Sequence, residues 1–348
     1  MAKNKRLGYL DLLRFIAISG VIAAHTSLAS HRESILGLQD FTLGRFGVQL
    51  FFLVSGTTVW ISLKSCQKNF SKSWLAFFTK RMFRIVPLFF FFSLCIYAFR
   101  GFIDPGRYFS PLAGLFPDSI NIVPGGWSIW NEIYFYFSLP VYVIMRRNRA
   151  HVAFLGALLA TVTYCIAISH TGSSALVQTQ QSDFDYLNVF SQFIFFQIGI
   201  EIAARNKTNL IYFFCAFTGA SLTFKVFFFR DFLLTPDFGS GYINAGIALI
   251  LTGAYLMVAK AYDDLCRWNK SVIAYLERIG RSTYTMYVIH FGVISFIPLL
   301  NGQLVDQIPL ELEVAFVLIC TYYLSILIQP ITESVWVSVG NKFLQRVP

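Results

Sequence analysis

Long apolar runs separated by short polar segments dominate the chain. Ten are readable, at about residues 8–29, 44–63, 83–99, 127–145, 150–169, 187–204, 209–228, 242–260, 282–300 and 312–332. A helix needs roughly 20 mostly apolar residues to cross the hydrocarbon core of a bilayer. A spanning segment must also satisfy its own backbone hydrogen bonds, so each run is predicted to be helical. The expected fold is an all-α integral membrane protein, a bundle of about ten transmembrane helices forming one domain over residues 1–348. The longest polar interval, about residues 100–126, is rich in Pro and Gly, and 170–186 is a polar loop. Neither is long enough for a second domain. The first run is interrupted by Asp11 and Arg14, so it reads as a span rather than a cleavable signal peptide.

Composition strengthens this picture. Apolar residues make up 56% of the chain and charged residues 13%, with 38 Phe and a mean hydropathy of +0.59. Soluble domains average about 25% charged. Pro87 to Phe99 and Ala245 to Ala259 carry no charge at all. Lipid as solvent removes the need to cover so much apolar surface.

Charge then sets orientation. With the N-terminus inside, 21 of the 28 Lys and Arg fall in inside segments and six in outside segments or at outer helix ends. The remaining one, Arg14, lies within a span. The positive-inside rule therefore places both termini in the cytoplasm of a multi-pass cell-membrane protein. The net charge of +10 sits in short clusters between spans. That pattern fits contact with membrane lipids and argues against a nucleic-acid partner. The six cysteines show neither a disulfide framework nor a metal-type spacing, and no metal site is expected.

The informative residues are the polar groups inside the spans, which are costly there and tend to mark cavities. Arg14 and His25 share the first span, eleven positions apart. At about 100° per residue they face the same way, separated by about 16 Å along the axis. Arg14 lies toward the cytoplasm and His25 toward the outer half. Arg81 and Arg84 share a helix face where a basic loop meets the third span, before Pro87. Two guanidiniums there can grip phosphates, or serve only as positive-inside charge. In the fourth span Ser128, Glu132 and Tyr136 form a polar stripe, preceded by Trp127. In the ninth, Thr283, Tyr287 and His290 form another, with Tyr284 alongside. Bonding between helices is the competing reading for each. His31, His151 and His170 lie in loops or at span ends. A P-loop, a zinc-type His pair and a Ser nucleophile elbow are all missing from the sequence. What remains is His, Glu and Arg chemistry in a membrane cavity.

Five segments, in order, resemble the membrane acyltransferase 3 family. They are Asp11-Leu12-Leu13-Arg14 with ten residues between Arg14 and His25, Phe46 through Gly56, Arg81-Met82-Phe83-Arg84-Ile85-Val86-Pro87, Trp127-Ser128 through Glu132 to Phe135-Tyr136, and Gly280 through Tyr284, Tyr287 and His290. Each is loose alone; together they are specific. Two departures stand out. Thr57 follows Ser55-Gly56 where an aromatic or aliphatic residue is usual. Gln329-Pro330 replaces a late Glu, basic residue and Pro, and Glu333 is offset by four positions. No role for that late Glu carries over.

The resemblance implies transfer of an acyl group, typically acetyl, from cytoplasmic acyl-CoA to a hydroxyl of a cell-surface or lipid-linked glycan. Lipopolysaccharide modification at a bacterial inner membrane is the expected setting. No permanent cofactor is implied; acyl-CoA, with acetyl-CoA expected, is the donor substrate. Arg14, Arg81 and Arg84 are then the donor-binding residues. His25 is the proton-transfer residue, and Glu132 is expected to orient or charge-stabilise it. Trp127, Ser128, Tyr136, Tyr284, Tyr287 and His290 are expected to line the cavity or contact the acceptor. The alternative is a secondary transporter or flippase for a glycan or small solute, its path lined by the same polar groups. Against it, no matching pair of broken helices is found.

Overall fold

The computed structural model describes residues 7–30, 34–35, 38–64, 70–99, 125–170, 189–228, 241–296 and 308–346. Apart from a two-residue antiparallel pairing of Ser34–Ile35 with Leu38–Gln39, the regular structure described is helical. The helices are α1 (Gly8–Ala29), α2 (Asp40–Lys64), α3 (Phe70–Phe99), α4 (Gly126–Met145), α5 (Arg149–His170) and α6 (Val189–Ala204). They continue with α7 (Lys207–Phe228), α8 (Gly241–Trp268), α9 (Lys270–Arg281), α10 (Thr283–Ile294), α11 (Leu310–Ile328) and α12 (Glu333–Arg346). Among the described residues, four segments are long and apolar enough to cross a membrane: Gly8–Ala29, Leu43–Leu63, Ala245–Trp268 and Leu310–Ile328. Arg149–Thr163, Val189–Ala204 and Thr283–Ile294 are apolar but shorter.

Each predicted run holds a helix among the described residues, but the boundaries differ: the ninth stops at Ile294 and the tenth at Ile328. α3 begins at Phe70, so Arg81 and Arg84 lie within a continuous helix rather than where a loop meets one. Its first turns carry Ser, Lys and Trp, and a search for apolar runs passes over them. α9 and α12 were not anticipated, for the same reason: both are amphipathic rather than uniformly apolar. α9 is started by Asn269, whose side chain accepts from the Val272 N–H at 3.1 Å, an ordinary N-cap.

The chain forms two compact units. The first comprises Met1–Phe51, Thr79–Phe102 and Gly253–Pro348. Within it α1 is the central element, packed against α9, α10 and α11. It buries Leu10, Leu13, Ala17, Ile18, Val21 and Ile22. The second comprises Phe52–Phe78 and Ile103–Thr252. There α5 packs along α7, with α6 against α4, α5 and α7. Its core is aromatic: Phe135 and Phe196 stack with centroids 4.1 Å apart, and Phe52 lies 4.6 Å from Phe196.

Candidate active site

In the first unit, polar side chains gather in two groups along α1. The first is built on guanidiniums. Asp11 is only 1% exposed, and a carboxylate that deep requires a donor. Arg14, one turn later, supplies it through Nη1 at 2.5 Å. The backbone beside Asp11 is covered by the end of α9. There the helices approach so closely that a Cβ on Gly280 would collide with the Asp11 carbonyl oxygen. This accounts for a glycine at that point. Arg81 and Arg84, on α3, both act electrostatically on Arg14, so three guanidiniums form one field of positive charge.

A carboxylate enters this field from α12. Arg84 donates Nε–H to Glu333 Oε1 at 2.5 Å. Thr285 Oγ1 and Gln329 Nε2 donate to Glu333 Oε2 at 3.2 and 3.3 Å. Gln329 accepts in turn from Ser282 Oγ at 3.4 Å. Tyr284 donates its hydroxyl to the Ile85 carbonyl at 2.5 Å, beside Arg84 and two residues before Pro87. The start of α10 thus touches both the α3 backbone and the carboxylate that holds Arg84.

The second group is built on imidazoles. His25 and His290 have ring centroids 5.4 Å apart. Phe291 lies against both, at 4.4 Å from His25 and 4.2 Å from His290. His290 is fully buried. Its Nδ1–H donates to the Tyr287 carbonyl at 2.6 Å. In the neutral ring this leaves Nε2 as a lone pair, and that atom has no hydrogen-bond partner among the described residues. An unpartnered acceptor in a buried site is suited to receiving a hydroxyl or a water. Tyr287 also meets the edge of Phe51, at 6.2 Å between centroids.

The second unit has its own buried polar groups. Glu132 accepts from Ser55 Oγ at 2.6 Å and from the Tyr136 hydroxyl one turn along α4. The two hydroxyls lie 3.2 Å apart, so one carboxylate oxygen gathers both. Trp74 Nε1 donates to the Tyr136 carbonyl at 3.1 Å. Trp127 meets the edge of Phe52 at 6.3 Å, and Ser128 Oγ donates back to the Gly125 carbonyl at 3.0 Å. Farther along α4, Arg146 donates from Nε and Nη2 to the two oxygens of Glu201, each at 2.9 Å. Tyr142 donates to the same carboxylate at 2.6 Å, and the Trp60 ring lies 4.2 Å from the guanidinium carbon.

The sequence-predicted residues therefore separate into groups. Arg14, Arg81 and Arg84 share one, which Tyr284 joins through the Ile85 carbonyl. His25 and His290 share another, with Tyr287 supplying the carbonyl that orients His290. Ser128 bonds within its own turn, apart from the Glu132–Tyr136 pair. Four partners, Ser55, Glu333, Phe291 and Glu201, are not among the sequence-predicted site residues. Ser55 is a hydroxyl inside an apolar helix and was findable on that ground. Glu333 opens α12, four positions after Gln329 and across the turn that ends α11, so no helical spacing in the sequence marks it. Phe291 has no signal beyond its place after His290. Glu201, at the end of an apolar run, reads only as a boundary until Arg146 is seen against it.

The acyltransferase 3 family model, described as an acyltransferase domain, matches residues 7–329. No curated protein and no solved structure gives a significant match.

Proposed function

Since the chain belongs to the acyltransferase 3 family, and is a membrane acyltransferase, we propose that it moves an acyl group from acyl-CoA to a hydroxyl of a cell-surface or lipid-linked glycan. Acetyl-CoA is the expected donor, arriving from the cytoplasm. One observation carries this reading. Within one compact unit, α1 bears the Arg14 guanidinium and, eleven residues further on, the His25 imidazole that pairs with His290 of α10. The phosphates of CoA suit the first, and its long pantetheine arm carries the thioester toward the second.

The reaction needs one proton moved and one bond exchanged. His25 accepts the proton of the acceptor hydroxyl as the oxygen attacks the thioester carbonyl. The tetrahedral centre collapses, the carbon–sulfur bond breaks, and the thiolate takes the proton back from His25. An imidazole can take a proton at one step of a reaction and return it at the next. His290, its Nδ1–H committed to the Tyr287 carbonyl, presents Nε2 as an acceptor that can hold a water beside the reacting hydroxyl. Glu132, gathered by Ser55 and Tyr136, is the second catalytic candidate and is tested separately.

The purified protein, reconstituted with isotope-labelled acetyl-CoA and extracted glycolipid, should yield a labelled, base-labile ester. Mass spectrometry of surface glycans from cells with and without the gene should show the same ester lost. CoA binding without ester formation, paired with glycan translocation in vesicles, would instead select the transporter reading.

A further inference from the structure

We infer that Glu333 is the positioning residue for Arg84, aiming its guanidinium from the first residue of α12. The inference rests on the reading of Arg84 as a donor-phosphate residue and adds the device that aims it.

The geometry is specific to the pair. Glu333 takes the Nε edge of Arg84 at 2.5 Å. A guanidinium is planar, so a carboxylate on that edge fixes the plane in which its other N–H groups lie. Glu333 is itself held. It is 6% exposed, and its second oxygen accepts from Thr285 and Gln329. Thr285 lies on α10, the helix that also bears His290, so Arg84 is referenced to the element carrying one imidazole of the pair. Gln329 brings its side-chain nitrogen to within 3.3 Å of the Glu333 carboxylate. A carboxylate placed at 329 would therefore end beside the same spot.

Holding α12 in place is the competing role for this ion pair. The structure assigns that role to other contacts. α12 also docks on α3 where Gly340 meets Phe83 so closely that a Cβ would lie 2.8 Å from the Phe83 Cβ, and Phe343 lies 6.0 Å from the Phe83 ring. Removing the Glu333 carboxylate leaves this seam intact.

The test is a double-mutant cycle read by CoA affinity, using the full chain in nanodiscs and titration with CoA itself. Arg84→Ala and Glu333→Ala should each weaken binding, by about tenfold, within the range of coupled neighbours. The double variant should be no weaker than Arg84→Ala alone. Glu333→Gln keeps the shape without the charge and should lose about threefold. Adding Gln329→Glu to Glu333→Gln should restore most of that loss, a result that a seam-holding role does not produce.

Unchanged CoA affinity in Glu333→Ala and Glu333→Gln, with Arg84→Ala weakened, overturns the inference and leaves the donor site standing. Additive losses in the double variant, or no rescue by Gln329→Glu, overturn it as well. If Glu333→Ala fails to fold, Glu333→Gln and the transposed pair decide the matter. Unchanged affinity in Arg84→Ala removes the donor reading itself and the inference with it.

Discussion

Two arginine–glutamate pairs sit in the two units of this protein and are built differently. Arg146 meets Glu201 with two parallel bonds, each 2.9 Å, while Tyr142 caps the carboxylate and Trp60 covers the guanidinium. The side chains are 15% and 1% exposed. Arg84 meets Glu333 through Nε and remains 35% exposed. A bidentate, covered pair has nothing left to offer a ligand and serves to fasten α4 to α6. A pair made through one edge of a partly exposed arginine fixes the plane of the guanidinium. Both are loosely "salt bridges"; the geometry of the fork distinguishes a fastener from an aiming device.

The comparison extends to the imidazoles, which lie in the same unit as the aiming device. The largest expected effect is at His25. His25→Gln keeps a hydrogen-bonding side chain of similar reach but cannot shuttle a proton. Acyl transfer should fall by about 10²–10⁴-fold, with CoA affinity and thermal unfolding unchanged. Near-normal turnover in well-folded protein would make His25 a fastener and return the proton to His290 or Glu132.

Next is the fastener itself. Glu201→Ala strands a buried guanidinium and should cost about 3–5 kcal/mol of stability. The readout is thermal unfolding in detergent, and CoA affinity of the protein that remains folded should be normal. A Glu201 variant that unfolds normally but binds CoA poorly would erase the distinction between the two pairs.

A smaller effect is expected at Arg84. Arg84→Lys keeps the charge and loses the planar fork, so CoA affinity should drop by several-fold to roughly tenfold with little change in unfolding temperature. Full affinity in the lysine variant would reduce Arg84 to a point charge. Smallest is Tyr136→Phe, which removes one of two hydroxyls from Glu132 and should change turnover or stability by about 1 kcal/mol. Ser55→Ala combined with it should do more than either alone. Independence of the two would mean that the Ser55 and Tyr136 hydroxyls do not act as a unit on Glu132.

The helices were largely legible in the chain, because an apolar run long enough for lipid has few other readings. α1 and α4 fall where the pattern placed them, within a residue. The early start of α3 and the existence of α9 and α12 were not legible, because amphipathic helices carry their signal in periodicity rather than in mean apolarity. The Arg14–His25 relation was readable from helical arithmetic alone, since both residues share one rigid element. The partners of those residues were not. Glu333 lies 249 positions from Arg84, and Glu201 lies 55 from Arg146. Local pattern cannot pair residues brought together only by packing.

The α1 helix that carries both Arg14 and His25 also limits how this protein can change by insertion or deletion. Adding one residue between them would turn the imidazole through about 100° and advance it by about 1.5 Å. The turn, far more than the advance, would carry it away from Phe291 and His290. Removing one would do the same in the opposite sense. The interval can be lengthened only in jumps that restore the angle, and each such jump would carry the imidazole past its partner on α10. The segment should therefore accept substitution at its lipid-facing positions while refusing any change of length, and a one-residue deletion scan along residues 15–24 would read this directly.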